Sequence, residues 1–183
     1  MERPSRLYNW IAIAKEHSKM SPCTRRKFAA IIIKEDTIIS MGYNGSCRGS
    51  LNCGLEIPCL KDANNDPSAK DNVYGIPYSD NCPAVHAEEN AIINAARNGT
   101  STLNATLLLA ATGGRCLRPC ARCRRVIINA GITHCYFIQS HPDGTEEVIH
   151  ELTKDWVKME NDWMINNLEK SKKKTLIEEY NDD

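Results

Sequence analysis

The sequence carries two short segments whose side chains suit the same chemistry: Val85-His86-Ala87-Glu88 and, further along, Pro119-Cys120-Ala121-Arg122-Cys123. Histidine nitrogen and cysteine thiolates are preferred zinc ligands, and a catalytic zinc keeps one of its four tetrahedral positions open. One histidine and two cysteines supply three ligands and leave the fourth position free for water. Glu88 follows the histidine closely enough to reach that water and to act as a general acid and base. The two segments therefore predict a catalytic zinc centre.

The residues that follow each segment predict a helix beginning at the ligands. Small and apolar residues recur at helical spacing from Ala87 to Ala96, and Gly99 is placed to end that helix. The apolar run from Val126 to Ala130 is followed by Gly131 in the same way. The positive end of a helix dipole favours thiolates and helps to keep them deprotonated. We therefore expect both ligand groups in the first turn of a helix.

The order of the two segments narrows the function. A His-x-Glu alone is typical of the start of a surface helix, and a Cys-x-x-Cys alone also occurs in redox pairs and structural zinc sites. The ordered combination, with a proline before the first cysteine, is a signature of zinc-dependent base deaminases. The sequence thus predicts that His86, Cys120 and Cys123 bind zinc and that Glu88 carries protons during hydrolytic deamination.

Composition limits the other function classes. A chain of 183 residues with a formal net charge of zero suits a single domain, predicted over 1–183, without the basic field of a nucleic-acid-binding protein. The N-terminal residues have no apolar signal-peptide core, and no stretch approaches the ~18 apolar residues of a membrane span. We expect a soluble, cytoplasmic protein that binds neither nucleic acid nor membrane. The lysines at 170–174 are expected to be solvated.

The remaining pattern predicts helices alternating with strands. The expected elements are a helix at 4–18, a hairpin of strands at 28–33 and 37–42, strands at 105–111 and 133–139, a helix at 145–152, and a helical extension at 160–183. Residues 156–159 fit either a short edge strand or part of one long helix. This order predicts a three-layer α/β/α sandwich with a mixed central sheet, in which parallel neighbours follow the hairpin.

A long insertion at 46–85, rich in Asn, Asp, Gly and Pro, interrupts this order. A loop of this length inside a domain needs something to hold it. The nine cysteines, an odd number in a chain without a signal peptide, favour metal over disulfides. The sequence predicts a second, structural zinc bound by Cys53, Cys59 and Cys82, with Cys47 as the nearest candidate for a fourth ligand. The alternative is that these cysteines are unpaired small apolar side chains.

Five arginines between Arg115 and Arg125 suit a phosphate, because a guanidinium presents a planar fork of donors. For the arginines within the helix, a solvated face remains the alternative. The candidate phosphate donors are Arg26, just before the first strand, and Arg115 and Arg118, in the loop that leads to the cysteine pair. A nucleotide substrate is therefore expected.

The chain resembles the deoxycytidylate (dCMP) deaminases of the cytidine deaminase superfamily over about residues 5–159. The zinc motif is common to the whole superfamily. The dCMP branch is indicated by Gly42-Tyr43-Asn44-Gly45-Ser46, by the Asn90-Ala91-Ile92 that follows the glutamates, and by Ile127-Ile128-Asn129-Ala130-Gly131-Ile132. The resemblance also rests on the run Ala29 to Ile33.

The resemblance implies hydrolysis of dCMP to dUMP and ammonia, which supplies dUMP for dTMP synthesis. It implies that Asn44 contacts the sugar and that the backbone of Ala87 contacts the base. Members from bacteria and phages often carry a cysteine-bearing insertion at the same place. Family members often form hexamers, and many are activated by dCTP and inhibited by dTTP.

The chain departs from the family pattern at two places, of which the second lies beside the expected active site and bears on which base is bound. The chain has Phe28-Ala29-Ala30 where members commonly have Val-Gly-Ala, and its connection from Thr112 to Arg118 is longer than usual. The alternatives that remain are another deaminase, acting on dCTP, 5-substituted dCMP, a free nucleoside or adenosine in tRNA, and a zinc-binding module without enzymatic activity. Glu88 distinguishes the last, because a structural zinc has no use for a carboxylate beside an open position.

Overall fold

A computed structural model of the chain describes residues 5–63, 82–112, 118–141 and 143–181, and at 61, 63 and 169–181 it describes the backbone alone. The helices are α1 (Arg6–Ser18), α2 (Leu60–Ala63), α3 (Ala87–Arg97), α4 (Ala121–Asn129) and α5 (Thr153–Asn181). The strands are β1 (Lys27–Lys34), β2 (Thr37–Tyr43), β3 (Gly45–Ser46), β4 (Ala84–Val85), β5 (Thr106–Thr112), β6 (His134–Ser140) and β7 (Glu146–Leu152).

Five of the strands form one mixed sheet in the order β2-β1-β5-β6-β7. Strand β1 is antiparallel to β2 and β5, whereas β5 and β6 are parallel and are joined through α4. Helix α1 contacts one face, where Ser18 Oγ lies 2.8 Å from Thr112 Oγ1, and α3 contacts the other, where Ser40 Oγ donates to the carbonyl of Ala91 at 2.7 Å. The predicted three-layer sandwich with a mixed sheet is confirmed.

The first hairpin forms where the sequence predicts it. Glu35 and Asp36, the two turn residues between β1 and β2, have φ values of 48° and 59°. Positive φ at both central residues is the pattern of a type I′ turn, whose twist matches that of the paired strands. The buried β-branched residues Ile31, Ile32 and Ile33 then place β1 in the core of the sheet.

The predicted helix at 145–152 is wrong, because these residues form β7, antiparallel to β6 over seven residue pairs from His134↔Leu152 to Ser140↔Glu146. The sequence does contain a signal for a strand here, namely the turn before β7. Asp143 Oδ1 accepts hydrogen bonds from the backbone and hydroxyl of Thr145, and Gly144 has a φ of 85°. Asp-Gly between apolar segments favours a hairpin, and the edge of β6 supplies partners that outweigh local helix propensity.

Helix α5 resolves the alternatives left open for residues 156–159, which lie within it. Trp156 is fully buried near its start, while Arg125 of α4 bonds Glu160 at 2.8 Å. The helical extension predicted from residue 160 is confirmed as far as 181. Among the helices of the described residues, none combines the length and the apolar composition that a membrane span requires.

The insertion at 46–85 is held at its two ends by a strand pair. Strand β3 lies antiparallel to β4, with Gly45 opposite Val85 and Ser46 opposite Ala84. This pairing joins the Gly-Tyr-Asn-Gly turn to the residues just before His86. The central part of the insertion, 64–81, lies outside the described residues. That the whole chain is a single domain stays a prediction.

Candidate active site

His86 directly precedes α3, and the position of that helix is set by its contact with β2. A Cβ atom at Gly42 would lie 2.7 Å from the backbone carbonyl carbon of Asn90 and closer still to the nitrogen of Ala91, so only glycine allows this approach of helix and strand. Asn90 Nδ2 donates to the carbonyl of Tyr43 and Asn94 Nδ2 to that of Met41, both at 2.8 Å. These bonds fix the first two turns of α3 against the end of β2.

The two cysteines lie at the start of α4, as the sequence predicts. Cys120 is the N-cap residue, and its sulfur accepts a hydrogen bond from the backbone of Cys123 at 3.4 Å. Pro119 before it is buried, and its carbonyl accepts a hydrogen bond from Arg124 Nη1 at 2.9 Å. The turn that presents both thiols is therefore held by the helix that follows it.

The two helix starts bring the predicted zinc ligands together. Nδ1 of His86 lies 3.2 Å from Sγ of Cys123 and 3.6 Å from Sγ of Cys120. In the described part of the chain, these are the only three His, Cys, Asp or Glu side chains whose ligand atoms all lie within 4.8 Å of one another. One imidazole nitrogen and two sulfurs form a donor set that fits zinc, with a fourth position left for water.

The thiols influence each other's protonation. Hydrogen bonds from Cys123 and then from His86 lower the pKa of Cys120 to about 3. The hydrogen bond between the two thiols, together with burial, raises the pKa of Cys123. The hydrogen bond between His86 and Cys120 raises the pKa of His86. A thiolate at the start of a helix is thus already favoured, which suits a cation ligand.

Glu88 lies in the first turn of α3 with its side chain beside the ligands. It is 5% exposed, and burial raises the pKa of its carboxyl group, which also interacts with His86 and Cys123. A carboxyl group with a raised pKa holds and releases protons nearer neutral pH than an exposed one. Its place beside the ligands suits the predicted acid and base role.

A cavity of about 460 Å³ opens at this site. Residues of β1, β5, α3 and the cysteine turn surround it, and Phe28, Asn44, Ala87, Glu88 and Cys120 are among those that line it. The helix N-termini and the carboxyl ends of β2 and β5 meet here, which is the usual place for a ligand in an open α/β sheet.

Two of the three predicted phosphate donors line the cavity. Arg26 does so from the position just before β1, and Arg118 does so while its Nε donates to Glu151 Oε2 at 2.8 Å. Arg115 lies outside the described residues. Arg25 also lines the cavity and forms an ion pair with Asp62 of α2. Sequence reasoning missed Arg25, since nothing local shows that both of the adjacent arginines line the cavity.

Asn44 joins the predicted sugar site to the backbone of β1. Its Oδ1 accepts from the backbone of Phe28 at 2.8 Å, and its Nδ2 donates to the carbonyl of Arg26 at 3.0 Å. The amide retains one N–H and one lone pair that these bonds do not use. Ala87, the predicted base contact, is 1% exposed in the first turn of α3 and lines the same cavity.

The cysteines of the insertion are only partly brought together. The thiols of Cys53 and Cys59 interact. Burial, and after it the charge of Cys59, raises the pKa of Cys53. Cys47 instead donates to Ser50 Oγ at 3.3 Å. Cys23, which the sequence did not indicate, interacts with Cys53 and lines the cavity together with Cys82. Its distance of 30 residues along the chain from Cys53 hid this neighbour.

Comparison with known proteins agrees with this geometry. Residues 4–139 match the family model described as the cytidine and deoxycytidylate deaminase zinc-binding region. Deoxycytidylate deaminase of Enterobacteria phage T4 is 29% identical over 164 residues, which cover 76% of this chain and 82% of that protein. Deoxycytidylate deaminase of Mycobacterium phage D29 is 30% identical over 132 residues, covering 72% and 93%.

A solved structure is similar as well. The dCMP deaminase of cyanophage S-TIM5, crystallised with dCMP and dUMP, superposes with a TM-score of 0.52 at 25% identity, covering 75% of this chain and 83% of that one. The family match spans both zinc-ligand segments and the whole of strands β1, β2 and β5. The chain therefore belongs to the cytidine and deoxycytidylate deaminase family.

Proposed function

We propose that this protein is a zinc-dependent hydrolase that deaminates dCMP to dUMP and ammonia. The observation that carries the proposal is the convergence of His86, Cys120 and Cys123 beside the buried carboxyl group of Glu88, at the base of a cavity lined by arginines. Two of the relatives, at 29% and 30% identity, are deoxycytidylate deaminases, and their names supply the substrate class.

The catalytic work of the chain falls to Glu88. When bound, zinc supplies a water nucleophile of lowered pKa. Glu88 accepts one proton of that water and delivers it to ring nitrogen N3, then takes the proton of the new hydroxyl group at C4 and delivers it to the departing amine of cytosine. A C–O bond forms at C4, the C–N bond to the amine breaks, and ammonia leaves. The raised pKa of the buried carboxyl group lets it keep the proton between the two transfers.

Other residues that line the cavity bind the parts of the substrate that do not react. The backbone of Ala87 contacts the base, and the unused amide positions of Asn44 contact the sugar. Arg26 and Arg118 bind the 5′-phosphate, and Arg115 is a further candidate. Arg118 is held by Glu151 and lies 6.0 Å from the ring of Trp156, so its guanidinium group is presented in a fixed orientation.

One parallel assay tests the substrate. Ammonia release is measured with dCMP, deoxycytidine, dCTP, 5-substituted dCMP and adenosine in a tRNA anticodon stem-loop at equal concentrations. We expect dCMP to be hydrolysed with a kcat/KM on the order of 10²–10⁴ times that of deoxycytidine, because charge-assisted hydrogen bonds to phosphate contribute about 1.5–3 kcal/mol each. Equal rates with deoxycytidine and dCMP would replace this proposal with a nucleoside deaminase.

The second zinc is also a proposal. Cys53, Cys59 and Cys82 are its ligands in the insertion. Cys23, whose charge helps to raise the pKa of Cys53, is proposed as the fourth ligand in place of Cys47, which donates to Ser50. Four thiolates would form the closed coordination typical of structural zinc. Such a site would fix the insertion beside the cavity, which Cys23 and Cys82 line.

The resemblance further supports a homo-oligomer, a hexamer, that works in the cytoplasm and is activated by dCTP and inhibited by dTTP. Sedimentation of the protein with and without each nucleotide measures the assembly, and initial rates at subsaturating dCMP measure the regulation. Rates that do not change with either nucleotide would restrict the proposal to an unregulated enzyme.

A further inference from the structure

One carboxylate connects the two halves of the zinc site, and it is not Glu88. Oε2 of Glu89 accepts a hydrogen bond from the backbone nitrogen of His86 at 3.2 Å. Oε1 of the same group accepts from Nε of Arg122 at 2.8 Å. Arg122 lies between Cys120 and Cys123, so Glu89 contacts the residue that bears the nitrogen ligand and the turn that bears both sulfur ligands.

The two members of this link differ in burial. The side chain of Glu89 is 10% exposed, whereas that of Arg122 is 79% exposed. An ion pair with such an exposed partner contributes little by itself, about 0.2–1 kcal/mol. Removing the carboxylate, by contrast, leaves the backbone nitrogen of His86 without its acceptor and also removes the hydrogen bond between α3 and the cysteine turn. The carboxylate is therefore the more important member.

We propose that Glu89 is a positioning residue that keeps His86 at coordinating distance from Cys120 and Cys123, with Arg122 as its contact on the cysteine turn. Groups that orient metal ligands from outside the coordination shell typically contribute a factor of ~10–100 in metal affinity. The role concerns the retention of zinc and does not depend on which cytosine or adenine compound is the substrate.

The test measures zinc release from the zinc-loaded protein to a coloured chelator. We expect Glu89→Ala to release zinc on the order of 10–100 times faster than the wild type. Glu89→Gln keeps an acceptor for the backbone nitrogen of His86 but loses the charge that faces Arg122, so it should release zinc only several-fold faster. Arg122→Ala should match Glu89→Gln, and the double variant Glu89→Gln/Arg122→Ala should be no faster than either single variant.

The matched control is Arg125→Ala. Arg125 is an exposed arginine of the same helix, but it pairs with Glu160 and not with Glu89. Its zinc release should equal that of the wild type. A second measurement separates positioning from general stability: the increase in Tm that zinc causes should shrink in Glu89→Gln, whereas a purely structural defect would lower Tm equally with and without zinc. If Glu89→Ala does not fold, Glu89→Gln and Arg122→Ala decide. Release at the Arg125→Ala rate in both, or fully additive effects in the double variant, would overturn the proposal.

Discussion

Nδ1 of His86 lies 3.2 Å from Sγ of Cys123, although 37 positions separate the two residues. Each atom is carried by the start of a different helix, and the two helices contact each other. The contact at Gly42 sets the position of the first helix, and the second helix holds the turn at Pro119. The zinc site is therefore as rigid as the packing of α3 and α4.

Glu88→Gln should leave zinc bound and nearly abolish turnover. The amide keeps the shape of the carboxyl group but cannot accept or relay the proton, and general acid–base catalysis typically contributes a factor of ~10²–10⁴. The loss of cytosine absorbance measures turnover, and metal analysis checks the zinc content. Near-normal turnover in the zinc-loaded variant would remove Glu88 from its assigned role.

Arg26→Ala should raise KM for dCMP and leave turnover of deoxycytidine nearly unchanged. A lost charge-assisted hydrogen bond of about 1.5–3 kcal/mol corresponds to a roughly 10–150-fold decrease in kcat/KM. Arg25→Ala is the matched neighbour, and its effect should be smaller because the guanidinium group of Arg25 pairs with Asp62. If both variants handle dCMP like the wild type, the phosphate is bound elsewhere in the cavity.

Metal analysis should find two zinc ions per chain in the wild type and one in Cys53→Ser. The proposed second site consists of other thiolates, so its loss should not affect the site at His86. Cys23→Ser should also lose one zinc, whereas Cys47→Ser should keep both, since Cys47 contacts Ser50 rather than the other thiols. A single zinc per chain in the wild type would contradict the second site.

Gly42→Ala should destabilise the protein and disturb the zinc site together. The added methyl group would meet the backbone of α3 at Ala91, which cannot move without shifting the helix. Overpacking of this kind costs about 1–3 kcal/mol, measurable as a decrease in the free energy of unfolding in urea. Gly45→Ala, in the same turn, meets only the ring of Pro22 at 3.1 Å and serves as the milder control. Equal effects of the two substitutions would argue against close packing of α3 on β2.

The stability of the protein should fall below about pH 6.5 partly because of His150. His150 is an exposed residue, but partial desolvation of its ring and then the charge of His134 lower its pKa below the unfolded value of about 6.5. A lowered folded pKa means that the unfolded chain binds more protons, so this contribution is present above pH ~6.5 and is lost as the pH falls through the folded value. His150→Gln should therefore lose less in Tm over this range than the wild type. Parallel Tm curves for the two proteins would show that the pair with His134 has no such effect.

Much of the site could be predicted from local sequence. The zinc ligands and Glu88 have side chains whose chemistry is diagnostic at short spacing, and the helices after them follow from the recurrence of alanine and isoleucine. The first hairpin follows from two β-branched runs around Glu35 and Asp36. In each case the residues that determine the structure are near one another in the chain, so the pattern is visible without the fold.

Other features depended on residues distant in sequence. Residues 146–152 fit a helix locally and became a strand because the edge of β6 offered a full set of backbone partners. The sequence does not indicate that Cys23 interacts with Cys53, because this interaction exists only in the folded chain.

The amino-acid order alone was enough to assign the chemical groups of the site: one imidazole, two thiolates and one carboxylate, each at the start of a helix. The contacts among these groups, and the link that Glu89 and Arg122 form between the two ligand segments, became visible only in the folded chain. The physical reason is that side-chain chemistry and helix capping act over a few residues, whereas strand pairing, helix packing and charge pairing join residues that the chain keeps far apart.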